Sequence, residues 1–412
     1  MSSRTTHPKT RIAIVGGGTA GITVAAMLRR HGFERITLIE PSETHYYQPF
    51  WTLVGAGVVP KEASARPTAK LIPKGVEWIG DRAKRFDPEA GRVETERSGQ
   101  LDYDYLVVAP GLQLDWDAIR GLPEALETPA VSSNYDYRLC EKTWRGLRAF
   151  RGGTALFHCP PMPIKCAGSP QKIAYLAAHH FERDGIRDKC DVVFATATPS
   201  IFGVKEYADI LEGIVERYGI DARYQHNLVE VDGAKREAVF EVRDGEAVRR
   251  TDRIAYDLLH VVPPQSAPDF IKASPLSDGS AKGWVDVDPH TLQHTRYPNV
   301  FGLGDATNTP NAKTGAAIRQ QAPVLVQNLM AVVEGDELPQ SYGGYGSCPL
   351  VTGYGRLLLA EFDYSGKPCP SLRPLDTMKE RYDMWLLKRY GIPFLYWNGM
   401  MRGRVAAPWS RS

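Results

Sequence analysis

Arg11-Ile-Ala-Ile-Val15-Gly16-Gly17-Gly18-Thr19-Ala20-Gly21 decides the reading of this chain. A short apolar strand runs straight into glycines at 16, 18 and 21, and Glu40 closes a second strand nineteen residues after the last of them. In a strand–turn–helix unit the first glycine makes the tight turn and the second lets a pyrophosphate approach the backbone. The third lets helix and strand pack closely. The helix N-terminus offers amide donors and the positive end of its dipole to the phosphates, and the acid accepts from ribose hydroxyls. Three glycines alone are a weak signal, because such turns often serve packing only. Here strand, helix, second strand and acid fall in register, so Gly16, Gly18, Gly21 and Glu40 are read as a dinucleotide site.

Working outward, the segments 11–15 and 35–40 read as buried strands with a helix over 20–31 between them. A strand over 103–110 follows, then a long connection from 114 to 151. A strand at 154–159, a proline-rich loop, a helix near 170–184 and a strand at 190–197 come next. A late strand at 300–305 leads into a helix over 315–333. This alternation predicts α/β layering. Boundaries near 125, 285 and 335 give a discontinuous first domain (1–125 and 285–335), a second domain (126–284) and a C-terminal region (336–412).

The length of 412 residues suits two or three domains. A net charge of +2 argues against a nucleic-acid binder that works by neutralising phosphates. No apolar run reaches the roughly 20 residues of a membrane-spanning helix. The polar stretch from Met1 to Thr10 reads as neither a secretory signal nor a transit peptide, which places the chain in or facing a reducing compartment. Six cysteines (140, 159, 166, 190, 348, 369) contain no C-x-x-C pair, so any disulfide there is more naturally catalytic than structural. No metal site is expected. Ser169 and Pro170 predict a helix start, with Ser169 as its cap. The dipole of that helix and Lys172 favour a thiolate at Cys166.

Two later segments separate FAD from NAD. The strand ending in Ala109-Pro110-Gly111 resembles the second fingerprint of flavoproteins with two dinucleotide-binding domains. Asn299-Val-Phe-Gly-Leu-Gly-Asp305-Ala306 resembles their late strand, whose aspartate holds the flavin's ribityl chain. The resemblance implies two tandem Rossmann-like domains and bound FAD, with the helix after Asp305 pointing its N-terminus at the flavin and Lys313 adding a charge there. Relatives that oxidise NADH carry a second glycine-rich turn. Here that turn is Cys159-Pro-Pro-Met-Pro-Ile-Lys-Cys166-Ala-Gly-Ser-Pro170, where prolines remove donors and side chains bar close approach.

Pro163-Ile-Lys-Cys166-Ala-Gly-Ser-Pro-Gln-Lys172 and Cys348-Pro-Leu-Val-Thr-Gly-Tyr354 are similar to the cysteine motifs of sulfide:quinone oxidoreductases of the mitochondrial type. So are His45-Tyr-Tyr-Gln48-Pro, Ile72-Pro-Lys-Gly-Val-Glu-Trp78, Ile201-Phe-Gly-Val-Lys-Glu-Tyr-Ala208, Gly283-Trp-Val-Asp-Val-Asp288 and Phe394-Leu-Tyr-Trp397. The similarity spans almost the whole chain. It implies that Cys166 and Cys348 are the redox-active pair, bridged at rest by a disulfide or an inserted sulfur. It implies FAD contacts at Gly18, Thr19, Glu40, Gln48, Asp305 and Lys313, and backbone contacts to the adenine at Ala83. The implied partners are hydrogen sulfide, a quinone such as ubiquinone, and a small sulfur acceptor (a thiol or sulfite).

Three positions depart from the pattern: Pro110 precedes Gly111, Ser169 replaces an alanine, and Cys159 has no counterpart. The basic, aromatic tail after Thr377 places Tyr382, Trp385, Leu386 and Arg389 at helical spacing, which Pro393 ends. That composition suits a membrane interface, and a helix pair packed on its own core or on a second subunit is the alternative use of the same face. The expected location is the cytoplasmic face of a bacterial inner membrane, with the mitochondrial inner membrane second. The rival readings are a type II NADH:quinone oxidoreductase and a redox-regulated flavin sensor without catalysis. The proline-blocked turn decides against the first: stoichiometric NADH should leave the flavin absorption band of the purified protein unchanged. Rapid bleaching by NADH would favour the NADH dehydrogenase.

Overall fold

In the computed structural model, residues 7–245, 247–372 and 375–405 are described; the N-terminal residues 1–6 and C-terminal residues 406–412 included in the readings above lie outside them. In chain order the elements that build the site are β1 (His7–Val15), α1 (Thr19–Arg30), β2 (Phe33–Ile39), β3 (Val76–Ile79) and β4 (Tyr105–Val108). Then come β5 (Val131–Ser132), α2 (Tyr137–Ala149), β6 (Gly153–Cys159), α3 (Ser169–Arg183), β7 (Cys190–Thr196), β8 (Asp221–Arg223) and β9 (Leu258–His260). The chain ends with β10 (Val300–Gly302), α4 (Gly315–Glu334), the hairpin β11 (Gly346–Gly353) and β12 (Arg356–Phe362), and the helices α5 (Tyr382–Leu386) and α6 (Ile392–Asn398).

Two five-stranded parallel sheets organise the chain. The first has the order β10-β4-β1-β2-β3, so the chain leaves it after β4 and returns only at β10. The second has the order β5-β9-β6-β7-β8. Both central strands are apolar on both faces, as a sheet covered by helices requires: Ile12, Ala13 and Ile14 in β1, and Ala155, Leu156 and Phe157 in β6, are all buried. The α/β class read from the sequence is the one observed. Each sheet carries a three-stranded antiparallel companion. Ala83–Asp87, Arg92–Thr95 and Gln100–Asp102 form the first, and His226–Asp232, Glu237–Asp244 and Ala247–Ala255 the second.

Several local expectations need correction. The strand expected at 103–110 is shorter, because Tyr103 and Asp104 turn into it and Ala109 already bonds back to Val15. The long connection holds α2 and an edge strand, β5, which pairs with β9 across more than a hundred residues; so short a strand has no period to read. Gly168 caps α3, and Ser169 is its first residue, with its hydroxyl paired to the Thr52 hydroxyl at 2.8 Å. Pro393 does not stop the C-terminal helix. It is the second residue of α6, and a π-helical turn (Leu387–Gly391) joins α5 to α6 ahead of it. Among the described residues no helix is long and apolar enough to cross a membrane.

Candidate active site

The turn between β1 and α1 has the shape its glycines predict. Gly16 sits at φ +101°, and a Cβ there would lie 2.3 Å from the Ala109 carbonyl oxygen. A Cβ on Gly21 would lie 1.8 Å from the Gly16 carbonyl oxygen. At Gly18, by contrast, a Cβ would meet nothing within 4 Å, so open space faces that backbone. No side chain caps α1, whose first amides therefore point into that space. Glu40 accepts from the Gly17 amide (2.7 Å) and the Ser42 amide (2.7 Å), which ties the turn to the end of β2. Each carboxylate oxygen has a second lone pair for a ribose hydroxyl. Burial raises the Glu40 carboxyl.

Behind this turn lies Asp305, whose Oδ1 is buried with no partner among the described residues. Burial pushes its carboxyl up, and the Lys313 and Lys165 cations oppose that. A buried acceptor facing no donor is what a hydroxyl-bearing chain would satisfy, so open glycine, uncapped helix and orphaned carboxylate fit FAD. Lys313 donates to the Thr307 carbonyl at 2.8 Å and lies over the Trp284 ring, 3.9 Å from its centre. Burial lowers its ammonium to about 8. Gly111 adopts φ +76° beyond β4. Gln48 is exposed and accepts from Lys165 at 2.8 Å. Ala83 opens the first antiparallel sheet, opposite Thr95.

Cys166 and Cys348 are brought together from 182 residues apart, with Sγ to Sγ 3.5 Å. Cys166 ends the proline-rich turn before α3, in left-handed backbone at φ 51°, and its carbonyl accepts the Ser169 amide at 2.7 Å. Cys348 is buried in mid-strand on β11, opposite Ala360. Gly168 admits it: a Cβ there would lie 2.7 Å from the Cys348 sulfur and 2.3 Å from Leu350. The Lys172 ammonium is 3.1 Å from Cys166 Sγ. The Cys348 thiol donating to Cys166, together with that ammonium, holds the Cys166 thiol well below its ordinary range. The Cys348 thiol moves up. The pair is thus poised as thiolate and thiol. The other cysteines with a resolved shift are raised by burial, Cys159 to about 12 and Cys140 to about 12, and these make poor nucleophiles.

Two lysines here escaped the sequence reading. Lys165 reaches Gln48 and the Tyr135 carbonyl, and burial lowers it to about 8. Lys388, in the π-helical turn, is buried and donates to the Pro49 carbonyl at 3.1 Å. Burial and then the Lys172 cation lower it to about 7 against the pull of both sulfurs. A lysine in an aromatic tail carries no local sign of burial. Such π turns are rare and are found frequently at functional sites, but this one is visible only in the fold. The turn at 159–170 leaves little for a second nucleotide: the Lys165 amide donates to Gln265 Oε1 (2.8 Å) and the Cys166 amide to the Lys313 carbonyl (2.8 Å).

Paired parallel sheets, an open glycine turn and a thiol pair at the start of α3 define a dinucleotide-binding flavoprotein. The sequence profile of the pyridine nucleotide-disulphide oxidoreductases matches residues 10–142. The chain is 48% identical over 398 residues to the mitochondrial sulfide:quinone oxidoreductase of Mus musculus, covering 96% of this chain and 87% of that one. To the corresponding protein of Dictyostelium discoideum it is 45% identical, covering 96% and 86%. The solved sulfide:quinone oxidoreductase of Aquifex aeolicus superposes with a TM-score of 0.79 at 22% identity, over 97% of this chain and 93% of the other. The chain belongs to the sulfide:quinone oxidoreductase family.

The electrostatics of the pair are directly measurable. In the reduced protein, alkylation of Cys166 should stay fast well below the ordinary thiol range, because its pKa is depressed and the thiolate persists as pH falls. Lys172→Met should move that inflection upward and leave the Cys140 rate unchanged. An unmoved profile would show that Lys172 does not hold the thiolate.

Proposed function

We propose that the protein oxidises hydrogen sulfide at Cys166 and Cys348 and passes the electron pair to a membrane quinone. The observation that carries this reading is the pair of sulfurs 3.5 Å apart beside the Lys172 ammonium. That separation is close to the roughly 3.3 Å between the outer sulfurs of a trisulfide built from bonds of about 2.05 Å, so it suits an inserted sulfur as well as a closing disulfide.

Gly18 and the first amides of α1 hold the cofactor's pyrophosphate, Gly16 and Gly21 shape the turn, and Glu40 receives the ribose. Asp305 would take the ribityl hydroxyls, Lys313 and Gln48 would contact the flavin, Ala83 would meet the adenine, and Thr19 and Gly111 would complete the cradle. The division expected from the sequence follows the same logic: residues 1–125 and 285–335 carry FAD, residues 126–284 carry Cys166, and residues 336–412 carry Cys348 and the membrane contact.

In the bridged pair, hydrosulfide attacks the Cys348 sulfur. A new S–S bond forms there, the bridge breaks, and Cys166 leaves as a thiolate beside Lys172. A thiol or sulfite acceptor then attacks the outer sulfur, carries it away and returns Cys348 as a thiolate. Closing the pair again releases two electrons, and accepting that pair and handing it to quinone is the chemistry that bound FAD supplies. Lys388, on which both sulfurs act, sets beside them a group that attracts an anion when protonated.

Tyr382 (63% exposed), Leu386 (38%), Tyr390 (58%), Phe394 (65%) and Leu395 (59%) form an apolar stripe along the C-terminal helices. Trp385 and Trp397 face inward. Such a stripe, carried beside Arg389, supports contact with a bilayer surface, where a lipid-tailed quinone is met. The compartment of the eukaryotic relatives favours the mitochondrial inner membrane over the bacterial inner membrane placed first from the sequence.

Mass spectrometry without reductant should find the Cys166 and Cys348 peptides linked. Cys166→Ser and Cys348→Ser should each keep FAD yet lose sulfide oxidation by orders of magnitude, while Cys159→Ser costs little. Full activity in Cys348→Ser would mean that the wrong pair has been chosen. The membrane contact has its own test. Phe394→Asp with Leu395→Asp should abolish co-flotation with liposomes and slow quinone reduction more than sulfide-driven flavin reduction; undiminished flotation would remove the stripe from the account.

A further inference from the structure

The C-terminal segment is fastened to the cofactor turn by hydrogen bonds whose direction can be deduced. The Tyr396 hydroxyl on α6 is buried and lies 2.6 Å from His45 Nε2 and 2.8 Å from Thr19 Oγ1. His45 Nδ1 lies 3.2 Å from the Gly17 carbonyl oxygen. A carbonyl only accepts, so Nδ1 carries the proton and donates. Burial lowers the imidazole to about 4, so at neutral pH Nε2 is bare and accepts. Tyr396 therefore donates to His45, and its oxygen is left to accept from the Thr19 hydroxyl. The chain runs in one direction: Thr19 to Tyr396 to His45 to Gly17.

Both ends of this chain lie in the Gly16–Gly21 turn, at the residues flanking Gly18. Thr19 is the first residue of α1, and its only hydroxyl proton is committed to Tyr396. It cannot also donate to a phosphate, which leaves its backbone amide for that purpose. Packing holds Tyr396 in place: its ring lies 4.6 Å from that of Tyr47 and 4.9 Å from that of Trp397. The segment has three further anchors near the turn. Lys388 donates to Pro49, Arg66 lies over the Trp397 ring at 4.1 Å, and Gly403 packs so closely that a Cβ would be 2.7 Å from the backbone of Ala26 and Met27. Phe394 and Leu395, which precede Tyr396 on the same helix, face outward.

We propose that Tyr396 and His45 are positioning residues for the cofactor, clamping the C-terminal segment onto the glycine turn so that tight FAD binding and seating of that segment are one event. This rests on the FAD reading above but concerns residues that reading leaves unused. Any force that lifts the segment also loosens the turn, and a filled turn holds the segment down.

The experiment uses the full-length holoprotein. FAD release is followed by the fluorescence gained on dilution, and tryptic cleavage after Arg389 is followed with and without excess FAD. Tyr396→Phe and His45→Ala should each speed FAD release about tenfold. The double variant should be no faster than the faster single variant, because either change breaks the same chain. Excess FAD should slow cleavage after Arg389 severalfold in the parent and have no effect on it in Tyr396→Phe. If Tyr396→Phe fails to fold, His45→Ala carries both measurements. Unchanged release rates in a parent that holds FAD, multiplicative effects in the double variant, or cleavage indifferent to FAD would each overturn the clamp. A parent that retains no FAD would overturn the cofactor reading itself.

Discussion

The ion pair between the Cys166 thiolate and the Lys172 ammonium is the constraint on which the rest of the site depends. An unpaired charge in packed surroundings costs several kcal/mol, so the thiolate persists because an ammonium sits 3.1 Å away and a second thiol donates to it. The same burial forces the neighbouring groups to compromise. Lys165, Lys313 and Lys388 are pushed toward neutrality while Asp305 is pushed toward its acid form. The site thus holds one firm charge pair and three lysines that change charge near neutral pH. Such a set can meet an incoming anion without a large standing charge to bury beforehand.

That constraint also shapes the turn at the head of the second sheet. The strand–turn–helix of β6 and α3 presents a helix N-terminus, the natural place to stabilise an anion. Here the anion is a sulfur of the chain itself. The amides of Lys165 and Cys166, which a phosphate would need, are spent on Gln265 and Lys313, and Gly168 serves the approach of a second strand.

Legibility from sequence followed the range of the physics. The turn at Gly16–Gly21 was readable because its requirements are local: a left-handed glycine, close packing, an acid at a set distance. Cys166 was readable in part, since Pro170 announces a helix, but the cap was misplaced by one residue. The left-handed turn at Cys166 that sets the start of α3 depends on its pairing with Lys313, far along the chain. Nothing local links Cys348 to Cys166; only the likeness to known motifs did. Lys388 and Tyr396 could not be separated by pattern from their exposed neighbours, because burial of a lysine or a tyrosine hydroxyl is decided by what packs on it. Pro393 misled for a related reason: it is the second residue of a helix that follows directly on the wide turn before it.

That wide turn also decides the outline of the tail. In a straight α-helix residues four apart drift round the axis by about 40° per step. Tyr382, Leu386, Tyr390 and Phe394 would then spiral through about a third of a revolution, and no plane could touch them all at once. A π turn holds more residues per revolution than an α-helix, so the five residues from Leu387 to Gly391 turn less and take back part of the drift. The ridge is straightened on its outer side by the same local unwinding that presses Lys388 inward. A deletion of one residue from that turn would twist the ridge and withdraw the amine together, so its length is under two geometric demands at once.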